Sequence, residues 1–218
     1  MDIFSQLSPS GEIETIAGAP FGSEALAIAS YAQKAERAVV YVAADERKAQ
    51  TLQALVSFFA PTVPVLNLPA WDCLPYDRVS PAPAVAARRC STLAKLARYT
   101  GDSALVVVTT SAALIQKCAP QETMQASSLH LKAGQIVEPK DLETFLITNG
   151  YTRTSTARER GEYAQRGGII DIYSPSHTDP VRLDFFGDAL ESIRSFDPET
   201  QRSLKQLKTI EFSPVSEI

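Results

Sequence analysis

The turn from Gly18 to Ala25 is the first place where residue types and their spacing suggest chemistry. A phosphate-binding P-loop has the pattern G-x-x-x-x-G-K-[ST], in which the lysine contacts the β- and γ-phosphates and the hydroxyl contacts Mg²⁺. Counted from Gly18, the second glycine position is Ser23, and Gly22 lies one residue too early. The lysine position is Glu24 and the hydroxyl position is Ala25. These five residues are the candidate for a degenerate nucleotide site.

The substitutions at Glu24 and Ala25 argue against catalysis by this turn. A glutamate at the lysine position repels a bound triphosphate by about 1 kcal/mol or more at contact distance, even with water-like screening. Ala25 offers no oxygen to magnesium. Two interpretations remain open: an ordinary strand–helix turn that never bound nucleotide, or a nucleotide site that has been lost. Both predict no ATP hydrolysis, no catalytic residue and no cofactor for this segment.

A second group of candidates lies between Tyr151 and Arg166, which hold four arginines and two glutamates. The permanently charged, planar guanidinium group suits bidentate pairing with carboxylates across an interface. Tyr163 is of a residue type that is common at interface hot spots. We expect Arg153 and Arg166 on the solvated face of a meander of antiparallel strands. The alternative is a solvated face balanced by its own glutamates, since most surface charges contribute little.

Composition excludes several classes of protein. No window approaches 18 uninterrupted apolar residues, which predicts a soluble, cytoplasmic chain without a membrane partner. The three cysteines are far apart, which is typical of reduced thiols. The two histidines also stand apart, so we expect no histidine-based metal site. The net charge of −4 argues against a chain dominated by non-specific binding to nucleic acid.

The order of the expected elements predicts an α/β fold followed by an α+β region. The first half alternates apolar strands with helices, which indicates a parallel sheet covered on both faces. Those strands are expected at 14–18, 39–42, 63–68 and 105–108, and the helices at 23–35, after Asp45 and at 84–98. The second half is expected to hold a strand at 125–132, a helix at 142–148 and an antiparallel meander at 161–203. We place the domain boundary at about residue 119.

Three motifs carry a resemblance to a known family. They are LPAWDCLPYDRVSP at 68–81, GEYAQRG at 161–167 followed by Ile-Asp-Ile at 170–172, and RLDFF at 182–186 leading through 195–197 to 201–202. In these motifs the chain resembles the N-terminal region of the bacterial transcription-repair coupling factors and, more distantly, the excision-repair protein UvrB. The first motif is specific to the coupling factors, and the other two are shared with UvrB.

The resemblance implies a UvrB-like module. Its parts would be a RecA-like (P-loop-NTPase-like) parallel-sheet half-domain at 1–119, an interaction domain that binds UvrA at 120–210, and at 211–218 the start of a segment that returns to the first domain. The resemblance also implies that the turn at Gly18 is degenerate. The aromatic hairpin with which UvrB clamps damaged DNA has no room between Asp77 and Ala87.

The resemblance also assigns the candidate docking residues. By motif position Arg153 and Arg166 match arginines with which UvrB-type modules contact UvrA, with Tyr163 as a neighbouring anchor. A third such arginine is replaced here by Ala164. Arg158 and Arg160 are expected to be solvated charges.

The functional hypothesis is a non-catalytic module that recruits UvrA to stalled transcription complexes. The full-length parent would be an ATP-dependent DNA translocase that also binds RNA polymerase and DNA, with ATP and Mg²⁺ needed only by its motor. The alternative is an active nucleotide-binding or DNA-binding fragment of a UvrB-like repair helicase.

Overall fold

The computed structural model describes residues 15–74 and 81–216. The helices are α1 (Phe21–Ala35), α2 (Glu46–Phe59), α3 (Pro83–Ala97), α4 (Ser111–Leu114), α5 (Gln121–Ala126) and α6 (Pro139–Thr148). The strands are β1 (Ala38–Ala43), β2 (Val65–Leu68), β3 (Leu105–Thr110), β4 (Leu129–Lys132), β5 (Thr152–Arg153), β6 (Glu162–Arg166), β7 (Ile169–Ile172), β8 (Val181–Phe186), β9 (Ala189–Phe196), β10 (Ser203–Leu207) and β11 (Thr209–Phe212). Within these ranges, no helix combines the length and the apolar character needed to cross a bilayer.

The chain divides into two compact units. The first contains residues 15–70 and 99–117, and the second contains 71–98 and 118–216 apart from the undescribed residues. The division at 117 lies close to the boundary expected at 119. Helix α3 belongs to the second unit, although its place in the sequence lies within the region expected to form the first domain.

The first unit is a three-stranded parallel sheet in the order β1-β3-β2. Helices α1 and α2 pack against it through small and aliphatic side chains, among them Leu52 and Val56 of α2 and Val106 and Val108 of β3. Helix α2 begins as predicted, because the Asp45 carboxylate accepts a hydrogen bond from the Lys48 backbone N–H at 2.7 Å. The expected α/β alternation and parallel pairing are therefore present.

Two expectations for this unit were wrong. Strand β1 was predicted to be buried, but it lies at an edge of the sheet, and Val40 and Val42 are exposed. An apolar β-branched run indicates a strand, and it does not indicate how many neighbours cover that strand. Residues 15–18 are not a strand, and Glu14, with which that strand was expected to begin, lies outside the described residues. Asp77, from which the room for an aromatic hairpin was counted, lies outside them too.

The second unit contains a six-stranded sheet in the order β10-β9-β8-β7-β6-β5. Strands β6 to β10 follow one another in antiparallel pairs, so the predicted meander is confirmed. Strand β5 extends the sheet by pairing in parallel with β6. The core of the unit joins helix α6, through Leu142 and Leu146, to Ile170, Leu183 and Ile193 of the sheet.

A separate two-stranded ribbon pairs β4 with β11. The strand predicted at 125–132 is shorter than expected, because Gln125 and Ala126 belong to helix α5 instead. The Gln121 side chain donates a hydrogen bond to the Ala97 carbonyl at 2.8 Å, which ties α5 to the last turn of α3 and favours the helix. Residues 211–212, expected to begin a return segment, lie in β11 and pair with β4.

The turn between β6 and β7 brings two backbones unusually close. Gly167 has a positive φ of 60°, which favours glycine. The Phe185 N–H donates to the Gly168 carbonyl at 2.7 Å, and a Cβ at Gly168 would lie 2.5 Å from the Phe185 carbonyl oxygen. Glycine at 168 therefore lets the turn close onto β8.

Replacing Gly168 by alanine is expected to destabilise the second unit. The added methyl overlaps backbone atoms that cannot rotate away, and we expect the free energy of unfolding to fall by about 1–3 kcal/mol. Urea denaturation followed by circular dichroism and by the fluorescence of Trp71 measures the change. The control is Gly22→Ala, because a Cβ there meets nothing within 4 Å. Equal stability of Gly168→Ala and the parent would contradict the close approach.

Candidate functional site

The turn before α1 places a carboxylate where the P-loop comparison expected a lysine. Gly18 has a positive φ of 73°, and α1 begins at Phe21. The Tyr41 hydroxyl donates a hydrogen bond to the Glu24 carboxylate at 3.2 Å. Burial and the neighbouring Glu24 raise the pKa of Tyr41, so this hydroxyl stays protonated and remains a donor. Ala25 is buried in the core of the first unit.

A cavity of about 550 Å³ lies beside this turn and is lined by Glu24, Tyr41, Arg47, Lys48 and Thr51, among others. Of these residues, Glu24 occupies the lysine position of the P-loop pattern. Its hydrogen bond to Tyr41 holds it there. A triphosphate placed on this turn would therefore meet negative charge where a P-loop supplies positive charge.

The six-stranded sheet has one face covered by α6 and one outer face, and the strand register assigns side chains to each. Successive residues of a strand point to opposite faces, and paired residues point to the same face. Tyr163 pairs with the core residue Ile172 and so belongs to the covered face. Arg166 lies three residues further along β6 and pairs with Ile169, which places both on the outer face.

The outer face is organised around the carboxylate of Asp171, which is fully buried at 0% exposure. Arg182 lies opposite Asp171 in the sheet and binds it in a bidentate manner, from Nε to Oδ1 at 2.6 Å and from Nη2 to Oδ2 at 2.8 Å. Arg166 donates from Nη2 to the same Oδ2 at 2.9 Å. The hydrogen bonding that Arg182 donates to Asp171 is the largest cause of the raised pKa of Arg182. One carboxylate therefore serves two guanidinium groups.

A second ion pair lies further along the same face. The Asp184 carboxylate accepts hydrogen bonds from Ser192 and from the Nη2 of Arg194, the latter at 2.6 Å. Here one carboxylate serves one guanidinium group. Among these ion pairs, three guanidinium groups meet two carboxylates.

Arg153 lies on the opposite side of the sheet from Arg166, which corrects the expectation that one face holds both. It pairs in register with Tyr163 and forms an ion pair with Glu143 of helix α6 at 2.9 Å. The Tyr163 hydroxyl also approaches Glu143, at 3.5 Å. Strand β5 pairs in parallel with β6, and no local pattern in the sequence indicated that pairing.

Tyr163 is 1% exposed and packs in the core cluster. A buried ring offers no free surface to a partner protein, so Tyr163 is not an exposed aromatic anchor. Its hydroxyl instead lies near Glu143, the ion-pair partner of Arg153. Burial, with a further contribution from Glu143, raises the pKa of Tyr163. Tyr163 therefore packs in the core of the second unit, where the sequence interpretation had expected it to contact a partner.

The sequence interpretation missed Phe186 as a candidate. This aromatic side chain is 77% exposed and follows Arg182 and Asp184 on the outer face, two residues apart each time. Ile169 pairs with both Arg166 and Asp184 and is also partly exposed, so an exposed apolar residue neighbours Arg166, and Phe186 follows at the end of β8. The signal was present in the RLDFF motif, where an aromatic residue occupies a position of the polar, outward register.

The two histidines lie on the ribbon of β4 and β11 and in the loop beside it. Arg98 donates to His130 at 2.9 Å and forms an ion pair with Glu211. His177 donates to the main-chain oxygen of Glu211 at 2.6 Å, and burial, with Lys95 nearby, lowers its pKa. These contacts join α3 to the ribbon. Among residues 15–74 and 81–216, no three His, Cys, Asp or Glu side chains are grouped to hold a metal ion.

Much of the second unit matches a known protein family. The UvrB interaction domain family matches residues 129–217, which include β4 to β11. The chain is 38% identical over 188 residues to the transcription-repair-coupling factor of Myxococcus xanthus, covering 83% of the chain and 15% of that protein. It is 34% identical over 190 residues to that of Escherichia coli K12, covering 87% and 16%. It is 35% identical over 130 residues to that of Bacillus subtilis 168, covering 60% and 11%.

The resemblance inferred from the three motifs is therefore confirmed, and it extends over most of the chain. The chain spans only about 11–16% of the length of these three curated relatives. Within that segment it belongs to the transcription-repair-coupling factor family and carries that family's UvrB interaction domain.

Proposed function

We propose that this chain is a non-catalytic docking module that binds UvrA and thereby recruits nucleotide-excision repair to stalled transcription complexes. The observation that carries the proposal is the state of Arg166. Its side chain is 54% exposed, and it is anchored to Asp171 without being neutralised by it, since Arg182 already pairs with that carboxylate. An exposed, oriented guanidinium group is suited to a carboxylate of a partner protein.

The surroundings of Arg166 support a protein interface. Ile169, which pairs with Arg166, and Phe186 expose apolar surface on the same face of the sheet. Interface hot spots combine aromatic and arginine side chains in this manner, because the apolar area excludes water from the charged contact. The outer face offers both kinds of group on rigid, paired strands.

Arg153 is proposed as a second, weaker contact at the same edge of the sheet. It is 59% exposed, but Glu143 already neutralises it at 2.9 Å. A partner carboxylate has to compete with Glu143, so less of the interaction energy is gained on binding. A partner that contacts both arginines has to reach around β5, because they lie on opposite faces. Tyr163 is proposed to act by packing beneath Glu143.

The first unit is proposed to be a RecA-like half-domain whose phosphate turn is degenerate. Its three parallel strands alternate with α1 and α2, and the turn at Gly18 precedes α1 as a phosphate loop precedes its helix, although residues 15–18 before the turn do not form a strand. Glu24 and Ala25 replace the residues that would bind phosphate and magnesium. This segment is accordingly proposed to be no enzyme and to need no cofactor.

In the complete protein we propose further partners outside this segment. An ATP- and Mg²⁺-dependent DNA translocase motor, with contacts to DNA and RNA polymerase, would occupy the remainder of a chain as long as the curated relatives. Docking of UvrA in the cytoplasm would then couple that motor to repair. The second candidate, an active nucleotide- or DNA-binding repair helicase fragment, has no observation in its favour at Glu24.

Replacing Arg166 by alanine is expected to weaken UvrA binding by about 1–3 kcal/mol, or about 5- to 150-fold in Kd. Arg153→Ala is expected to cost less than about 1 kcal/mol, since its charge is already paired. Calorimetric titration of the 218-residue chain with UvrA measures both. Arg158→Ala is the matched control, because Arg158 is exposed and its hydrogen bond to Glu162 is donated by its backbone N–H. If neither Arg153 nor Arg166 affects affinity, the proposed surface is wrong.

Phe186 gives an independent test of the apolar part of the surface. Phe186→Ala removes exposed aromatic area and is expected to weaken UvrA binding by about 1–2 kcal/mol while leaving thermal stability within about 0.5 kcal/mol. Phe58→Ala is the control, because Phe58 is 77% exposed on α2 of the first unit. Equal effects of the two substitutions would indicate a non-specific apolar contribution.

The absence of nucleotide chemistry is tested by titration with a fluorescent ATP analogue in the presence of Mg²⁺. No saturable binding is expected up to about 1 mM, because Glu24 repels the phosphates and Ala25 cannot bind the metal. Glu24→Gln provides the comparison, since it removes the charge and keeps the shape. Saturable micromolar binding by the parent chain would favour the alternative function.

A further inference from the structure

The Asp171 carboxylate distinguishes the two arginines that bind it. Arg182 is nearly saturated within the chain: two of its nitrogens bind Asp171, its Nη1 lies 3.4 Å from the Gln201 carbonyl oxygen, and its guanidinium group stacks 4.7 Å above the Phe196 ring. Arg166 makes one hydrogen bond, from Nη2 to the oxygen that Arg182 already shares. The two side chains thus contribute differently to the surface.

The charges of Arg182 and Arg166 also differ in how far Asp171 neutralises them. A buried carboxylate has to be neutralised, because burying an unpaired charge costs several kcal/mol. Arg182 provides that neutralisation with two short hydrogen bonds and 16% side-chain exposure. Arg166 therefore adds a positive charge that Asp171 holds in place but does not cancel. Arg153 and Arg194, on the same sheet, each pair with their own carboxylate.

We propose that Asp171 and Arg182 are positioning residues: together they hold Arg166 on the outer face with its charge uncompensated, so that it receives a carboxylate of the docked protein. Arg166 and Arg182 share the one carboxylate of Asp171, and a carboxylate of the bound partner would make the numbers of negative and positive groups equal. The ligand that this seat fits is an aspartate or glutamate side chain on an acidic protein surface. The inference rests on the proposed docking of UvrA.

Removing the charge of Asp171 is expected to weaken the binding of UvrA, whereas simple charge attraction would strengthen it. Asp171→Asn raises the positive charge of the outer face by one, so a partner attracted only by net charge would bind more tightly. Loss of the anchor frees Arg166 to sample other rotamers, and ordering it on binding then costs conformational entropy. We expect Asp171→Asn to weaken UvrA binding about tenfold.

Asp184→Asn is the matched control. It changes the charge of the same face by the same amount, and it removes a carboxylate that binds Arg194 and Ser192 rather than Arg166. We expect its affinity for UvrA to stay within about twofold of the parent or to rise slightly. Equal effects of Asp171→Asn and Asp184→Asn overturn the positioning role.

A double-mutant cycle assigns the effect to Arg166. In an Arg166→Ala background, Asp171→Asn is expected to cost no more than about twofold, because the group that it positions is absent. A full tenfold loss in that background shows that Asp171 acts through the fold instead and overturns the inference. Thermal unfolding of each variant ensures that binding is compared between folded proteins.

Arg182→Gln tests the same arrangement if Asp171→Asn does not fold. Asp171 then pairs with Arg166 alone and neutralises it, so we expect weaker binding of UvrA together with a shallower dependence on salt. Unchanged affinity and unchanged salt dependence of Arg182→Gln overturn the inference.

Failure of the inference is separable from failure of the proposed function. If Arg166→Ala weakens binding and neither Asp171→Asn nor Arg182→Gln does, only the positioning role is wrong. If Arg166→Ala has no effect, docking through this face is wrong. In that case NMR exchange rates of the Arg166 guanidinium protons in the parent and in Asp171→Asn still measure the anchor, and equal rates overturn it.

Discussion

A single buried carboxylate, that of Asp171, constrains the whole outer face of the second unit. Burial of its charge is tolerated only because guanidinium groups from β6 and β8 converge on it. That convergence requires β7 to lie between those strands in the observed register, with Asp171 opposite Arg182 and next to Ala164. A slip of one residue would turn the carboxylate into the apolar core, so the ion pairs and the core specify the same register.

The sheet separates two tasks by its two faces. The covered face supplies the apolar contacts with α6, including Ile170, Leu183 and Ile193. The outer face carries the charged ladder and the exposed Phe186. Because the same strands serve both, the packing that stabilises the unit also orients the groups available to a partner. The surface is therefore rigid without help from a bound ligand.

Local patterns predicted much of this architecture, and the misses have common causes. Apolar runs with intervening helical periodicity identified β1, β2, β3 and α2, and the Asp45 cap was predicted correctly. Gln125 was assigned to a strand because its helix depends on a tertiary contact with the end of α3. Arg153 was placed on the wrong face because the parallel pairing of β5 with β6 leaves no sequence signal.

The sequence alone determined the alternation of strands and helices, the absence of a lysine and a hydroxyl at the P-loop positions held by Glu24 and Ala25, and the family, since each depends on residue identity at short spacing. The tertiary structure decided which charged side chains pair with each other and which of them stay exposed. Asp171 reads as one strand residue among many, and Tyr163 reads as an exposed anchor until its burial is seen. Compensation of charge depends on distances of a few ångströms between strands, and these distances are set by long-range pairing that no local pattern encodes.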